Sequence, residues 1–155
     1  MTINSITIAL SFFLLTAPAL AGKPRPEAYS AICIEHIGES DKPIFPIVVT
    51  TSEAGVEWCR NNTFERIERQ LILSHVVPPK LMSQLSSEVE ATHGDEDAQS
   101  KPFGTFAITA LNSKGRRVVI LDKTRTLELI QRLKNHCKRE PLCRDLSHLQ
   151  ARLGG

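Results

Sequence analysis

The sequence lacks the short motifs that mark many catalytic sites. It contains no Gly-x-Ser-x-Gly nucleophile motif, no His-Glu-x-x-His zinc motif and no glycine-rich phosphate loop. Only 5% of its residues are aromatic, with a single tyrosine and a single tryptophan, which argues against an aromatic platform for single-stranded nucleic acid. These absences favour a binding protein over an enzyme, and we expect no metal, no other cofactor and no nucleic-acid partner.

Long hydrophobic runs are also scarce. The only one covers residues 6–15, and it is too short to span a bilayer as a helix. It is followed by Ala17-Pro-Ala-Leu-Ala21, small residues at the spacing that a signal peptidase reads, although no lysine or arginine precedes the run. We predict a signal peptide over residues 1–21 that is cleaved after Ala21. The mature chain, residues 22–155, is then expected to be one periplasmic or secreted domain.

The cysteines show no Cys-x-x-Cys spacing, which disfavours a zinc site. The chain has four of them, Cys33, Cys59, Cys137 and Cys143, and an even number in an exported chain is typical of disulfides. We predict the bond Cys33–Cys59, because the helix that carries Cys59 can reach back to the first strand. We also predict Cys137–Cys143, because that bond would fix the angle of the corner between the last two helices. Loop entropy alone does not decide among the three pairings and would favour the longer loops.

Acidic residues are rare in the second half of the chain. Residues 101–155 hold 12 basic and 4 acidic side chains, a net charge of +8, whereas residues 23–100 hold 7 basic and 13 acidic side chains, a net charge of −6. The two halves can neutralise each other across the folded domain, or the basic half can attract an acidic partner.

Runs of β-branched and aromatic residues predict two β-hairpins. The first joins strands over residues 29–37 and 44–50, and the second joins strands over 103–111 and 118–121 around the turn Asn112-Ser-Lys-Gly115. A further strand over residues 70–77 is narrowly favoured over a helix.

Four helices follow from apolar spacing and from N-terminal signals. The first begins at a Thr-x-x-Glu capping box over residues 50–53, and the second at Pro78-Pro79. The third is capped by Asp122 or Thr124, and the fourth begins at Pro141 with a leucine stripe: Leu142, Leu146, Leu149 and Leu153. The predicted fold class is α+β: a small antiparallel sheet built from the two hairpins, with the further strand, packed on one side by helices and held by two disulfides.

Charged segments supply the candidate contact residues. One is the acidic loop of Asp95, Glu96 and Asp97, and another is the second hairpin's tip with Lys114, Arg116 and Arg117. The main basic cluster joins Arg116 and Arg117 to four residues around the last corner of the chain: Lys134, Lys138, Arg139 and Arg144.

Three functions are compatible with these features. The first is an exported inhibitor or immunity protein that blocks an envelope-acting toxin or hydrolase through protein–protein contact. The second is a small envelope enzyme whose site assembles from dispersed residues such as Glu35, His36 and His75. The third is an envelope-surface protein whose basic half binds anionic lipid or glycan.

The signal peptide generates a direct prediction. Expressed with a C-terminal tag in a Gram-negative host, the full chain should reach the periplasm and begin at Gly22, as N-terminal sequencing would show. Ala21→Phe should block cleavage, because the peptidase requires a small residue at that position. Ala17→Leu, which lies outside the recognised positions, is the matched control. Recovery of an uncleaved cytoplasmic chain would contradict the prediction.

Overall fold

The computed structural model describes residues 27–63, 71–95 and 104–154. Within these ranges the strands are β1 (Ala31–His36), β2 (Ile47–Thr50), β3 (Leu73–Val76), β4 (Phe106–Asn112) and β5 (Gly115–Leu121). The helices are α1 (Glu53–Asn62), α2 (Pro79–Glu90), α3 (Lys123–Lys134) and α4 (Pro141–Gly154). The α+β class is confirmed, and no helix of the described ranges is long and apolar enough to cross a membrane.

The strands form one sheet in the order β3-β2-β1-β4-β5. Both predicted hairpins are present, since β1 pairs antiparallel with β2 and β4 pairs antiparallel with β5. The prediction of a purely antiparallel sheet is wrong, because β3 pairs parallel with β2. Parallel neighbours need a crossover connection, and α1 supplies it between β2 and β3. The sheet is therefore mixed.

Helices cover both faces of the sheet, not one as predicted. Successive side chains of a strand point to opposite faces. Ile32 and Ile34 of β1 belong to a large core together with residues of α2, α3 and α4, whereas Ala31 and Cys33 belong to a smaller core with residues of α1. We call these two sides the three-helix face and the α1 face.

The three-helix face is built from regular amphipathic patterns. The leucine stripe of α4 is fully confirmed, because Leu142, Leu146, Leu149 and Leu153 are all buried. Asp122 caps α3, and its side chain accepts a hydrogen bond from the Arg125 N–H over 2.8 Å. Pro79 occupies the first turn of α2, where its missing N–H costs nothing.

The α1 face is held by the single disulfide that the structure contains, Cys33–Cys59, which confirms the first predicted pairing. Gly55 lets α1 lie close to the sheet, since a Cβ atom there would stand 2.0 Å from the Thr50 hydroxyl. That hydroxyl donates to the carbonyls of Ser30 and Ser52 and does not form the predicted capping box, because Thr50 is still part of β2 and Ser52 is the N-cap.

The second predicted disulfide is absent. Cys137 and Cys143 are free cysteines, the first buried and the second half-buried. The α3–α4 corner exists without a sulfur bridge, because backbone hydrogen bonds from Glu140 N–H to Cys137 O and from Cys143 N–H to Glu140 O shape it. The leucines of α4 then pack in the same core as Leu129, Ile130 and Leu133 of α3.

The disulfide should make a large contribution to stability. Because the bond spans 26 positions, the chain-entropy account predicts that Cys33→Ala/Cys59→Ala lowers the free energy of unfolding by about 3 to 4 kcal/mol. Urea denaturation would measure the loss. Either single substitution should cost nearly as much, since each breaks the same bond. Cys143→Ala, which breaks no bond, is the control and should cost about 1 kcal/mol; an equal loss there would contradict the assignment.

Candidate binding surface

The segment that joins α3 to α4 turns sharply and leaves the side chains of Lys138 and Arg139 in solvent, while Cys137 is buried. Asn135 ends α3, with its N–H shared between the carbonyls of Gln131 and Arg132. Lys138 and Arg139 follow on an exposed turn before α4 begins at Pro141. Because a turn of two consecutive cations has no apolar face to bury, both side chains extend outwards.

Two hollows flank this turn. One, of about 460 Å³, lies between the first turn of α2 and the corner, and its lining includes Lys80, His136, Lys138 and Arg139. The other, of about 480 Å³, lies on the α4 side, and its lining includes Lys138, Arg139, Cys143 and Arg144. We call the four cations of these hollows, Lys80, Lys138, Arg139 and Arg144, the basic corner.

The cations of the basic corner are largely uncompensated. Within the described ranges, no salt bridge or side-chain hydrogen bond engages Lys80, Lys138 or Arg139. Arg144 Nε stands 3.8 Å from Asp145 Oδ1, with its side chain 71% exposed. Glu140 is the one carboxylate in the lining, so the hollows carry a net charge of +3. Such a surface attracts anionic groups.

The rest of the predicted basic cluster is engaged within the protein. Lys134 Nζ donates to Gln150 Oε1 over 2.6 Å. Arg117 donates from Nη1 to the Val89 carbonyl over 2.8 Å and from Nη2 to the Thr92 carbonyl over 3.0 Å. Arg117 therefore binds two carbonyls at the C-terminal end of α2, and its predicted contact with a partner stays a prediction.

The other predicted contact residues lie on separate parts of the surface. Lys114 and Arg116 are exposed at the hairpin tip, where Arg116 Nη1 makes a long 3.5 Å contact with the Asn62 carbonyl. Asp95 is exposed and pairs with Ile120, roughly 17 Å along β5 from the tip. Glu96 and Asp97 lie outside the described residues. Asp95 and the hairpin tip therefore do not form one surface.

The residues predicted for a dispersed enzyme site are not brought together. Glu35 and His36 are successive residues of β1, so that Glu35 is buried on the α1 face and His36 stacks edge-on against Phe106 on the other. His75 of β3 is on the three-helix face, two strands away and roughly 16 Å from His36.

Two histidines, His75 and His136, do meet carboxylates. His75 Nε2 lies 2.8 Å from Asp145 Oδ2 at the edge of the sheet, and His136 Nε2 lies 2.9 Å from Glu88 Oε1 between α2 and α3. A carboxylate at hydrogen-bonding distance from one ring nitrogen fixes the orientation of an imidazole. Among the described residues, however, no serine, threonine or cysteine side chain hydrogen-bonds to either ring, so neither pair has a nucleophile to activate. The same ranges contain no group of three or more metal-ligating side chains.

Tyr29 makes polar contacts that shift its pKa. Its ring is buried, its N–H donates to Ser86 Oγ over 2.9 Å, and its hydroxyl donates to Glu90 Oε1. Burial and then the Glu90 carboxylate raise the pKa of Tyr29 to about 12, against a weaker opposing effect of Arg117. The contact ties the segment before β1 to α2.

No signal in the sequence pointed to the hollow beside α2. Lys80 and the corner are far apart in the chain, and only the packing of α2 near α3 brings them together. A comparison of the chain with protein-family models, with curated proteins and with solved structures finds no match.

The phenol of Tyr29 should titrate abnormally. The native state keeps its proton between pH 10 and about 12, while the unfolded chain loses it near pH 10. The stabilising contribution is therefore complete below pH 10 and is lost as the pH rises through that window. Because the chain has one tyrosine, the tyrosinate absorbance reports this group alone.

Glu90→Gln should lower the pKa of Tyr29 towards 10, because an amide accepts the hydrogen bond without repelling the phenolate. Glu57→Gln, on an exposed part of α1, is the matched control and should leave the titration unchanged. A native titration at the ordinary value of tyrosine would show that the contact does not form.

Proposed function

We propose that this protein is an exported inhibitor or immunity protein that uses its basic corner to block the acidic cleft of an envelope-acting hydrolase or toxin. The observation that carries the proposal is the set of cations around two hollows, of which Lys80, Lys138 and Arg139 have no ion-pair partner in the described ranges. The cationic groups are thus available for a partner.

The chemistry of envelope hydrolases explains how such a surface can block a cleft. Enzymes that cleave glycosidic bonds place two carboxylates in their cleft. A lysine or arginine presented from a protruding turn can pair with those carboxylates and exclude the substrate. Complementary charge also speeds the encounter and disfavours partners of the wrong sign.

The scaffold around the corner supports a rigid mode of binding. The corner begins at the end of α3 and finishes in the first turn of α4, and both helices bury leucines in one core. A surface that is already ordered pays little conformational entropy on association. The Cys33–Cys59 disulfide supports an exported location, since such bonds persist in oxidising compartments.

A second candidate rests on the same charges. An envelope-surface protein that binds anionic lipid or glycan would use the basic corner as a purely electrostatic patch. The two candidates differ in their dependence on salt, because a patch on a charged surface is screened whereas a packed protein interface keeps its apolar contacts. Asp95 and the hairpin tip, which the sequence also predicts as contact sites, lie outside the basic corner and are the alternative location of the interface.

Charge reversal at the corner should separate these functions. Lys138→Glu/Arg139→Glu is expected to weaken inhibition of a carboxylate-dependent envelope hydrolase by about tenfold or more, as close charge pairs at an interface do. The measurement is residual hydrolase activity against inhibitor concentration, at low and high salt. Lys114→Glu/Arg116→Glu changes the same charge at the hairpin tip and is the matched control, with inhibition expected unchanged.

Three other outcomes of these measurements would change or refute the proposed function. Loss of inhibition by the tip variant alone would place the interface at the hairpin and overturn the role of the basic corner. Binding only to anionic vesicles or glycans, abolished at high salt, would favour the second candidate. No inhibition of any envelope hydrolase and no complex with any envelope toxin would refute the proposed function.

A further inference from the structure

Two free thiols sit side by side where the basic corner meets the core. Cys143, in the first turn of α4, is half-buried and lines the hollow that also contains Lys138, Arg139 and Arg144. Cys137, just beyond α3, is buried, with 1% of its surface exposed. Cys143 packs against the core that includes Cys137, and backbone hydrogen bonds through Glu140 hold the two residues on either side of one turn. One thiol of the pair is therefore reachable from solvent and its neighbour is not.

The two thiols also differ in how readily they can attack a disulfide. Burial, followed by the neighbouring Cys143 thiol, raises the pKa of Cys137 to about 12, so this sulfur stays protonated in the native state. Since a thiolate and not a thiol is the nucleophile, Cys137 is a poor first attacker. Cys143 is the group that an incoming reagent meets, surrounded by three cations that attract anionic reagents.

We propose that Cys143 and Cys137 form a thiol–disulfide exchange site for an anionic disulfide, with Cys143 as the attacking sulfur and Cys137 as the resolving sulfur. In the first step the Cys143 thiolate displaces one sulfur of the disulfide R–S–S–R and forms a mixed disulfide. In the second step Cys137 gives up its proton and displaces the remaining R–S group. The pair is oxidised to a Cys137–Cys143 disulfide, and R–S–S–R is reduced to two R–SH, which take up both protons and both electrons.

The other two cysteines take no part in this exchange. Cys33 and Cys59 are already bonded to each other and are both fully buried on the α1 face, opposite the corner. The structure thus combines a protected disulfide with an accessible dithiol. The inference does not rest on the inhibitor function, because exchange depends on the corner alone.

Serine variants separate the two roles. Glutathione disulfide is an anionic disulfide. After reaction with it, the protein without substitutions should contain a Cys137–Cys143 disulfide, which mass spectrometry would detect as the loss of two hydrogen atoms. Cys137→Ser should stop at a mixed disulfide on Cys143. Cys143→Ser should react at least about tenfold more slowly, because only the buried thiol remains. Circular dichroism would verify that both variants are folded.

The role of the cations around Cys143 can be tested separately. Lys138→Gln/Arg139→Gln should slow the reaction with glutathione disulfide by about tenfold at low salt, and should not slow the reaction with the cationic disulfide cystamine. Brief alkylation of the unaltered protein, followed by peptide mapping, should label Cys143 before Cys137. Equal labelling of both thiols, equal rates for the two serine variants, or persistence of both thiols in excess glutathione disulfide would each overturn the proposal.

Discussion

The C-terminal end of α2 carries negative charge from two sources, its helix dipole and its glutamates, and side chains of other elements compensate this charge. Glu88 and Glu90 stand where the helix dipole is already negative, and the last turn contains no basic residue. Arg117 of β5 binds the carbonyls of Val89 and Thr92 there, and Arg132 Nε of α3 lies 3.1 Å from Glu88 Oε2. His136 makes the second contact with Glu88. Together with the apolar side chains that α2 buries in the core, these contacts fix α2 against β5 and α3. They thereby help to shape the hollow that α2 shares with the corner.

This arrangement also explains how the uneven charge of the chain is used. The acidic side chains of α2 belong to the negative half of the sequence, while Arg117 and Arg132 belong to the positive half. The two halves therefore do neutralise each other at the end of α2. Uncompensated positive charge remains at the α3–α4 corner, where Glu140 is the one carboxylate in the lining of the hollows. Internal neutralisation and an external basic surface are thus both present, at different places.

Local patterns predicted the elements well, and their arrangement less well. The hairpins, the Asp122 cap and the leucine stripe of α4 depend on neighbours in sequence, and all three are present. The parallel placement of β3 was missed, although the order strand, helix, strand is typical of a crossover. The role of Arg117 could not be predicted, because a guanidinium at a hairpin tip and one that binds a distant helix look identical in sequence. The same holds for the hollow between Lys80 and the corner, which is formed by two distant segments.

The sheet separates the two aromatic reporters of the chain. Trp58, the single tryptophan, packs on the α1 face beside the core that contains the disulfide, and Tyr29, the single tyrosine, belongs to the core of the three-helix face. Each side of the molecule therefore has its own optical signal. If both signals change at one denaturant concentration, the two cores unfold as one cooperative unit; if they change apart, the sheet divides the domain into two units of different stability.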